Sequence, residues 1–106
     1  MDVERIKFER TGGFAGIRIA ADLDLKDLSD EQVHTLMGLL EEVGFSKLPE
    51  HLQISPPMPD EFTYSITVES EEWHHTVTTA DSSASERLQD LLEILTRLAR
   101  NKMRHN

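Results

Sequence analysis

The sequence contains no cysteine, so disulfides, thiolate nucleophiles and cysteine zinc sites are all excluded. Long apolar runs are missing as well, and none approaches the ~20 residues that a membrane span requires. The segment from Met1 to Arg5 has no apolar signal-peptide region, which predicts a cytoplasmic protein with no membrane partner. Of the 106 residues, 38% are hydrophobic, enough for one modest core, so a single domain over residues 1–106 is predicted.

Basic residues are scarce through the middle of the chain. The sequence has 20 acidic and 11 basic residues, and its net charge is −9. Between residues 22 and 81, 14 acidic residues are opposed only by Lys26 and Lys47. Phosphate backbones repel such a surface, so nucleic acid is not expected as a partner. Residues 97–104 hold four basic residues and no acid, which is typical of a helix C-terminus whose dipole the cations complement.

Glycine is also sparse, yet three of the five glycines fall in the segment Arg10-Thr11-Gly12-Gly13-Phe14-Ala15-Gly16. This segment separates residues 3–10 from residues 17–23, and both stretches alternate apolar with polar side chains. The alternation predicts two strands paired as an antiparallel hairpin. Because a strand and not a helix follows, the glycines do not form a phosphate-binding loop. Phe14 is out of phase with the apolar positions that follow unless a bulge intervenes, which leaves both a core and a surface position open.

Helical periodicity occurs twice. Ser29 and Gln32 form a capping-box pattern before an apolar stripe that ends at Gly44. Ser83 and Glu86 give a second capping pattern before a longer stripe. A second hairpin, residues 62–68 and 73–78, lies between the helices and follows a proline-rich loop at residues 54–61. The order ββαββα predicts an α+β two-layer sandwich, in which a four-stranded antiparallel sheet carries two helices on one face.

The other face of this sheet is predicted to be open and polar. Its residues alternate with the apolar set: Arg5, Lys7, Glu9, Arg18, Thr63, Ser65, Thr67, His74, Thr76 and Thr78. A polar face needs no partner in order to be soluble. It is also compatible with a protein-interaction module, or with a homodimer joined through this face or through an edge strand.

The sequence assembles no catalytic or metal-binding motif. His74 and His75 are neighbours on a predicted strand, so they point to opposite faces and cannot chelate one ion together. There is no HExxH pattern, no Walker loop and no dinucleotide fingerprint. The acidic clusters at residues 22–27 and 69–72 lack the spacing of a calcium loop and are interpreted as solvated surface. We therefore expect neither an enzyme nor a cofactor, and a hydrolase built on His74 is disfavoured.

Three segments resemble the emfourin family in order and spacing. They are Phe8 to Arg18, with the glycine-rich run at its centre, Phe45-Ser46-Lys47-Leu48-Pro49, and Pro59 to Val68. Emfourins are small bacterial proteins, and the founding member inhibits protealysin, a thermolysin-like zinc metalloprotease. The resemblance implies that this protein inhibits thermolysin-family metalloproteases by binding them in the active-site cleft. We expect it to act as a monomer or a weak dimer.

The implied inhibitor suggests a hypothesis about the contact residues. Thermolysin-like clefts accept a bulky apolar side chain beside the zinc, which Phe14 or Met58 could supply. A carboxylate of Asp60 or Glu61 could replace the zinc-bound water. The complete predicted protease-binding set is Thr11, Gly12, Gly13, Phe14, Met58, Asp60 and Glu61. Prolines stiffen the loop that carries Met58, Asp60 and Glu61, so that little conformational entropy would be lost on binding.

Overall fold

The strands and helices follow the predicted order. A computed structural model describes residues 3–13, 18–52 and 61–104. Its elements are β1 (Arg5–Gly12), β2 (Ile19–Asp24), α1 (Asp30–Glu42), β3 (Phe62–Glu69), β4 (His74–Ala80) and α2 (Glu86–Arg104). Short 3-10 turns occupy Leu25–Asp27, Phe45–Lys47 and Asp81–Ser83. The α+β class and the ββαββα order are therefore confirmed. Within the described ranges, neither helix combines the length and apolar character that crossing a bilayer would require.

The four strands form one antiparallel sheet in the order β2-β1-β3-β4. Phe8 of β1 pairs with Ala21 of β2 on one side and with Ile66 of β3 on the other. Ile66 in turn pairs with Val77 of β4. Because side chains alternate along a strand, this register collects apolar residues from all four strands on the same face of the sheet.

A single cluster of buried side chains joins this sheet face to both helices. Ile6 and Ile66 from the sheet, Leu36 and Leu40 from α1, and Leu91 and Leu95 from α2 all belong to it, and each has an exposed fraction of 0%. Helix α2 packs across β2 and β1, and α1 packs against α2. Both helices thus lie on one side of the sheet, as predicted.

The ends of α1 match the capping signals in the sequence. The Ser29 hydroxyl accepts a hydrogen bond from the Gln32 backbone at 3.1 Å, and the Gln32 side chain accepts one from the Ser29 backbone at 3.0 Å. After the helix, Gly44 adopts a left-handed conformation with φ of 62°. This reversal sends the chain toward Phe45, which is fully buried.

The predicted cap of α2 is wrong by two residues. Ser85, not Ser83, precedes the helix, and its hydroxyl accepts a hydrogen bond from the Leu88 backbone at 3.3 Å. Ser83 instead ends the 3-10 turn that begins at Asp81. The Asp81 carboxylate is bonded to β3, so this turn is held against the sheet and the helix begins only after it.

The opposite face of the sheet is polar and at least partly exposed, as predicted. Arg18 donates to Glu9 at 2.8 Å, and Lys7 lies 3.2 Å from Glu69. The hydroxyls of Thr67 and Thr76 are 2.8 Å apart across β3 and β4. Exposed ion pairs of this kind contribute about 0–1 kcal/mol each. The stability of the sheet therefore comes from the buried face.

Candidate functional site

Four of the seven predicted contact residues meet at one end of the sheet. Thr11 and Gly12 end β1 and pair with Thr63 and Phe62 at the start of β3. Gly13 follows Gly12, and Glu61 precedes Phe62. A backbone hydrogen bond of 3.4 Å from the Gly13 nitrogen to the Glu61 oxygen joins them. The other three, Phe14, Met58 and Asp60, lie outside the described residues. A role in binding stays a prediction for all seven.

Close approach of the two backbones explains two of the clustered glycines. Gly12 has φ of 96° and Gly13 has φ of 76°, a region that other residues adopt only with strain. A Cβ atom on Gly12 would lie 2.8 Å from the Glu61 carbonyl oxygen, and one on Gly13 would lie 2.7 Å from the Phe62 ring. Glycine is therefore required at both positions for β1 to reach the start of β3.

The side chain of Glu61 is bound to the turn that precedes α2. Its Oε1 atom accepts a hydrogen bond from the Ser82 backbone at 2.5 Å. Hydrogen bonds to charged groups contribute about 1.5–3 kcal/mol. Binding of a zinc ion through this same oxygen would compete with the bond to Ser82. The carboxylate thus joins the start of β3 to the turn before α2.

Asp81 performs a similar function for β3. One carboxylate oxygen accepts from the Phe62 backbone at 3.1 Å, and the other accepts from the Tyr64 hydroxyl at 2.7 Å. Tyr64 is buried, with an exposed fraction of 7%. The sequence offered no local signal for this contact, because Asp81 lies 17 residues from Tyr64 along the chain.

The same environment changes the acidity of the Tyr64 hydroxyl. Burial raises the pKa of Tyr64 above its ordinary value, because the phenolate would lose its hydration. The hydrogen bond to Asp81, and the negative charge of Asp81, raise the pKa further, while the nearby Arg10 acts in the opposite direction. The hydrogen bond from Tyr64 to Asp81 should therefore persist into alkaline solution.

Replacing Tyr64 with phenylalanine is expected to flatten the alkaline pH dependence of stability. An unfolded tyrosine ionises above about pH 10, whereas the raised pKa keeps the folded Tyr64 hydroxyl protonated. Tyr64 thus stabilises the fold fully below that pH, and its contribution is lost as the pH rises toward the folded pKa. Urea denaturation from pH 8 upward measures this. The free energies of unfolding of wild type and Tyr64→Phe should converge above about pH 10; parallel curves would contradict the shift.

Arg10 lies on the apolar face of the sheet. It pairs with Ile19 and Tyr64, in phase with Phe8 and Ile6. Its guanidinium carbon stands 4.1 Å from the centroid of the Phe62 ring, within the range of a cation–π contact. The buried Nε atom has no hydrogen-bond acceptor within the described part of the chain. The alternation predicted over residues 3–10 includes Arg10, but its side chain was not assigned to the apolar face from the sequence.

The adjacent histidines point to opposite faces, as predicted. His75 pairs with Val68 of the core, and His74 pairs with Glu69 of the polar face. The His75 Nε2 atom lies 2.7 Å from the Leu48 carbonyl oxygen, and its ring packs edge-on against Phe45 with centroids 5.6 Å apart. Within residues 3–13, 18–52 and 61–104, no group of three or more His, Asp and Glu side chains is placed to hold a metal ion.

The fold and this sheet end define a small α+β protein in which two helices cover one face of an antiparallel sheet. The emfourin family model matches residues 8–96, which is most of the chain. The protein therefore belongs to the emfourin family. The membership confirms the resemblance found in the sequence and the prediction that the protein is not an enzyme.

Two further comparisons were made with known proteins. Among solved structures, the chain is similar to emfourin (M4in) from Serratia proteamaculans, an M4 family peptidase inhibitor. The sequence identity is 21%, the match covers 85% of this chain and 86% of that chain, and the TM-score is 0.41. A comparison with curated proteins finds no match. The assignment to the family accordingly rests on the family match.

Proposed function

We propose that this protein inhibits thermolysin-like zinc metalloproteases by binding them stoichiometrically at the active-site cleft. The observation that carries the proposal is membership of the emfourin family over residues 8–96. Protease inhibition is what the resemblance of the three sequence segments implies. The protease is then the partner, and this chain contributes a binding surface rather than a catalytic group.

The geometry of the sheet end supports this function. The residues that flank the two predicted contact loops are held by hydrogen bonds. Gly13, before the first loop, donates its backbone N–H to Glu61, and Glu61, after the second loop, accepts from the Ser82 backbone. The bond from Phe62 to Asp81 holds the start of β3 against the turn that leads into α2. Contact residues that extend from so rigid a base lose less entropy when they bind.

The proposed roles divide the predicted contact residues into two groups. Phe14 or Met58 fills the apolar pocket beside the zinc, and the Asp60 carboxylate replaces the zinc-bound water. Thr11, Gly12, Gly13 and Glu61 set the position of these side chains. A tight complex buries roughly 1,600 Å² in total, which is more than one loop provides. The acidic surface or the open sheet face should supply the remaining area.

The inhibition itself is tested by titrating thermolysin-like proteases with the purified protein. A fixed concentration of active protease should lose activity linearly until the two proteins are equimolar. Zinc content of the protease, measured after gel filtration of the mixture, separates cleft binding from removal of the metal. Undiminished activity across a panel of such proteases at micromolar inhibitor would overturn the proposal.

The contact loops are tested by alanine variants at Phe14, Met58 and Asp60. Substitution of a residue at the centre of an interface typically weakens binding by about 2 kcal/mol or more, so at least one of the three inhibition constants should rise about tenfold or more. Met103→Ala is a matched control for Met58→Ala, because Met103 is 47% exposed near the end of α2. Inhibition constants within about twofold of wild type for all three variants would exclude the loop hypothesis.

A homodimer or a non-inhibitory module is the alternative function, and the uncovered polar face of the sheet favours it. Of the two sheet edges, that of β4 is already occupied near Thr78, whose backbone bonds to Glu50 at 2.7 Å and to Leu52 at 2.9 Å. An edge-to-edge dimer would therefore use β2. Sedimentation can compare the wild-type protein with the variant Lys7→Glu, which is changed on the open face. The comparison would show whether that face joins two copies.

A further inference from the structure

A cavity lies between α2 and the end of the sheet that carries Arg10. Its volume is about 680 Å³, within the range of roughly 300–1,000 Å³ that small-molecule sites occupy. Arg10 and Tyr64 line it from the strands, and Asp81 lines it from the turn before the helix. Side chains of α2, from Gln89 to Arg104, form its other wall.

The helix wall is strongly basic. Arg97, Arg100 and Arg104 line the cavity, and their spacing of three and four residues puts them on one face of α2. Lys102 lies elsewhere on the helix surface, where its Nζ atom donates to the Asp22 carbonyl oxygen. The four basic residues in residues 97–104, which were expected to complement the helix dipole, thus lie in two different places. Three of them share a cavity with a fourth arginine from β1.

Positive charge is left uncompensated in this cavity. The described lining residues include four arginines and two carboxylates, Asp81 and Glu93. Asp81 is engaged by the Tyr64 hydroxyl and the Phe62 backbone, and Glu93 lies 3.6 Å from Arg97. Arg10, Arg100 and Arg104 form no ion pair with any described residue.

Arg10 is the cation of the group that is held against the sheet. Its guanidinium packs over the Phe62 ring, and its Nε atom is buried without an acceptor among the described residues. The charge is therefore partly removed from water and forms no ion pair with a described residue, which costs free energy. A bound anion would offset that cost. The net charge of −9 does not prevent it, since acids more than roughly 8 Å away are largely screened at physiological ionic strength.

We propose that this cavity is a binding site for a small oxyanionic ligand that carries phosphate or carboxylate groups. Guanidinium groups donate paired, charge-assisted hydrogen bonds to both kinds of oxyanion. Arg10 supplies an oriented donor from the sheet, and Arg100 and Arg104 close over the ligand from α2. The inference does not depend on protease inhibition.

The site is tested by titrating the protein with inorganic phosphate and, separately, with citrate at constant ionic strength, while backbone amide NMR shifts are recorded. Saturable shifts are expected at residues that line the cavity. Loss of one charge-assisted contact should weaken binding about tenfold in Arg10→Gln, and loss of two should weaken it at least as much in the double variant Arg100→Gln/Arg104→Gln. The double variant alters only exposed side chains, so it keeps the test valid if Arg10→Gln does not fold.

Lys102→Gln is the matched control, because it removes one positive charge from the same helix outside the cavity. Binding within about twofold of wild type is expected for it. Saturation by phosphate alone would identify a phosphate-bearing ligand, and saturation by citrate alone a carboxylate ligand. The proposal fails if neither anion gives saturable shifts, or if Lys102→Gln weakens binding as much as the cavity variants do.

Discussion

Replacing Phe45 with alanine is expected to lower the free energy of unfolding by about 3–5 kcal/mol, the usual cost of removing a buried phenyl ring. Phe45 has an exposed fraction of 0% and is among the largest fully buried side chains of the described core. Its ring also packs edge-on against His75, which bonds to Leu48. Its removal would leave a cavity between the segment after α1 and strand β4. Since small proteins have about 5–15 kcal/mol of stability, the variant would lose a large fraction of the total.

Urea denaturation followed by far-UV circular dichroism measures this loss. Met103→Ala is the control, because its side chain is exposed and such substitutions usually change stability by no more than about 0.5 kcal/mol. The slope of the unfolding transition should be the same in both variants. A loss below about 1 kcal/mol for Phe45→Ala would show that the core closes around the missing ring.

The regular elements could be predicted from the sequence because each carries a local signal. Alternation identified all four strands, and the Ser29 capping box identified the start of α1. The observed strand bounds differ from the predicted ones where backbone pairing continues beyond the alternating apolar and polar residues. Residues 3–10 alternate, but β1 is Arg5–Gly12, because Gly12 pairs with Phe62 of β3. Glycine has no side chain that could carry a polar or apolar signal, so only the neighbouring strand reveals that the strand continues.

The sheet end was less predictable because its contacts join distant parts of the chain. Two partners of Asp81, Phe62 and Tyr64, lie 19 and 17 residues away, and no spacing rule connects them. The cap of α2 was misplaced for the same reason, since Ser83 is drawn into the turn that Asp81 fixes. Arg10 differs: its place on the apolar face follows from the period of β1. Arg10 was not assigned to that face from the sequence because arginine side chains are usually exposed.

The glycine-rich segment combines structure and proposed function, and Gly12→Ala is expected to affect both. A Cβ atom would lie 2.8 Å from the Glu61 carbonyl oxygen at φ of 96°. Backbone strain at such a φ costs about 1–3 kcal/mol, and the clash with a backbone atom adds to it. We expect Gly12→Ala to lose about 2–4 kcal/mol in urea denaturation.

Gly38→Ala is the matched control, since the same substitution there should have the opposite sign. Gly38 lies within α1, has no positive φ, and a Cβ atom on it would meet no atom within 4 Å. Alanine is favoured over glycine inside a helix by about 0.5–1 kcal/mol. Gly38→Ala should therefore be more stable than wild type. Equal changes in the two variants would refute the close approach of β1 to Glu61.

The inhibition constant separates the structural effect of Gly12 from its proposed role in positioning the contact loop. A variant that retains several kcal/mol of stability stays almost wholly folded, so lost stability alone leaves the concentration of active inhibitor unchanged. Phe45→Ala should therefore inhibit a thermolysin-like protease as wild type does if it remains folded. Gly12→Ala should raise the inhibition constant about tenfold or more, because it displaces residues beside the proposed contact. If both folded variants inhibit equally, this end of the sheet is not where the protease binds.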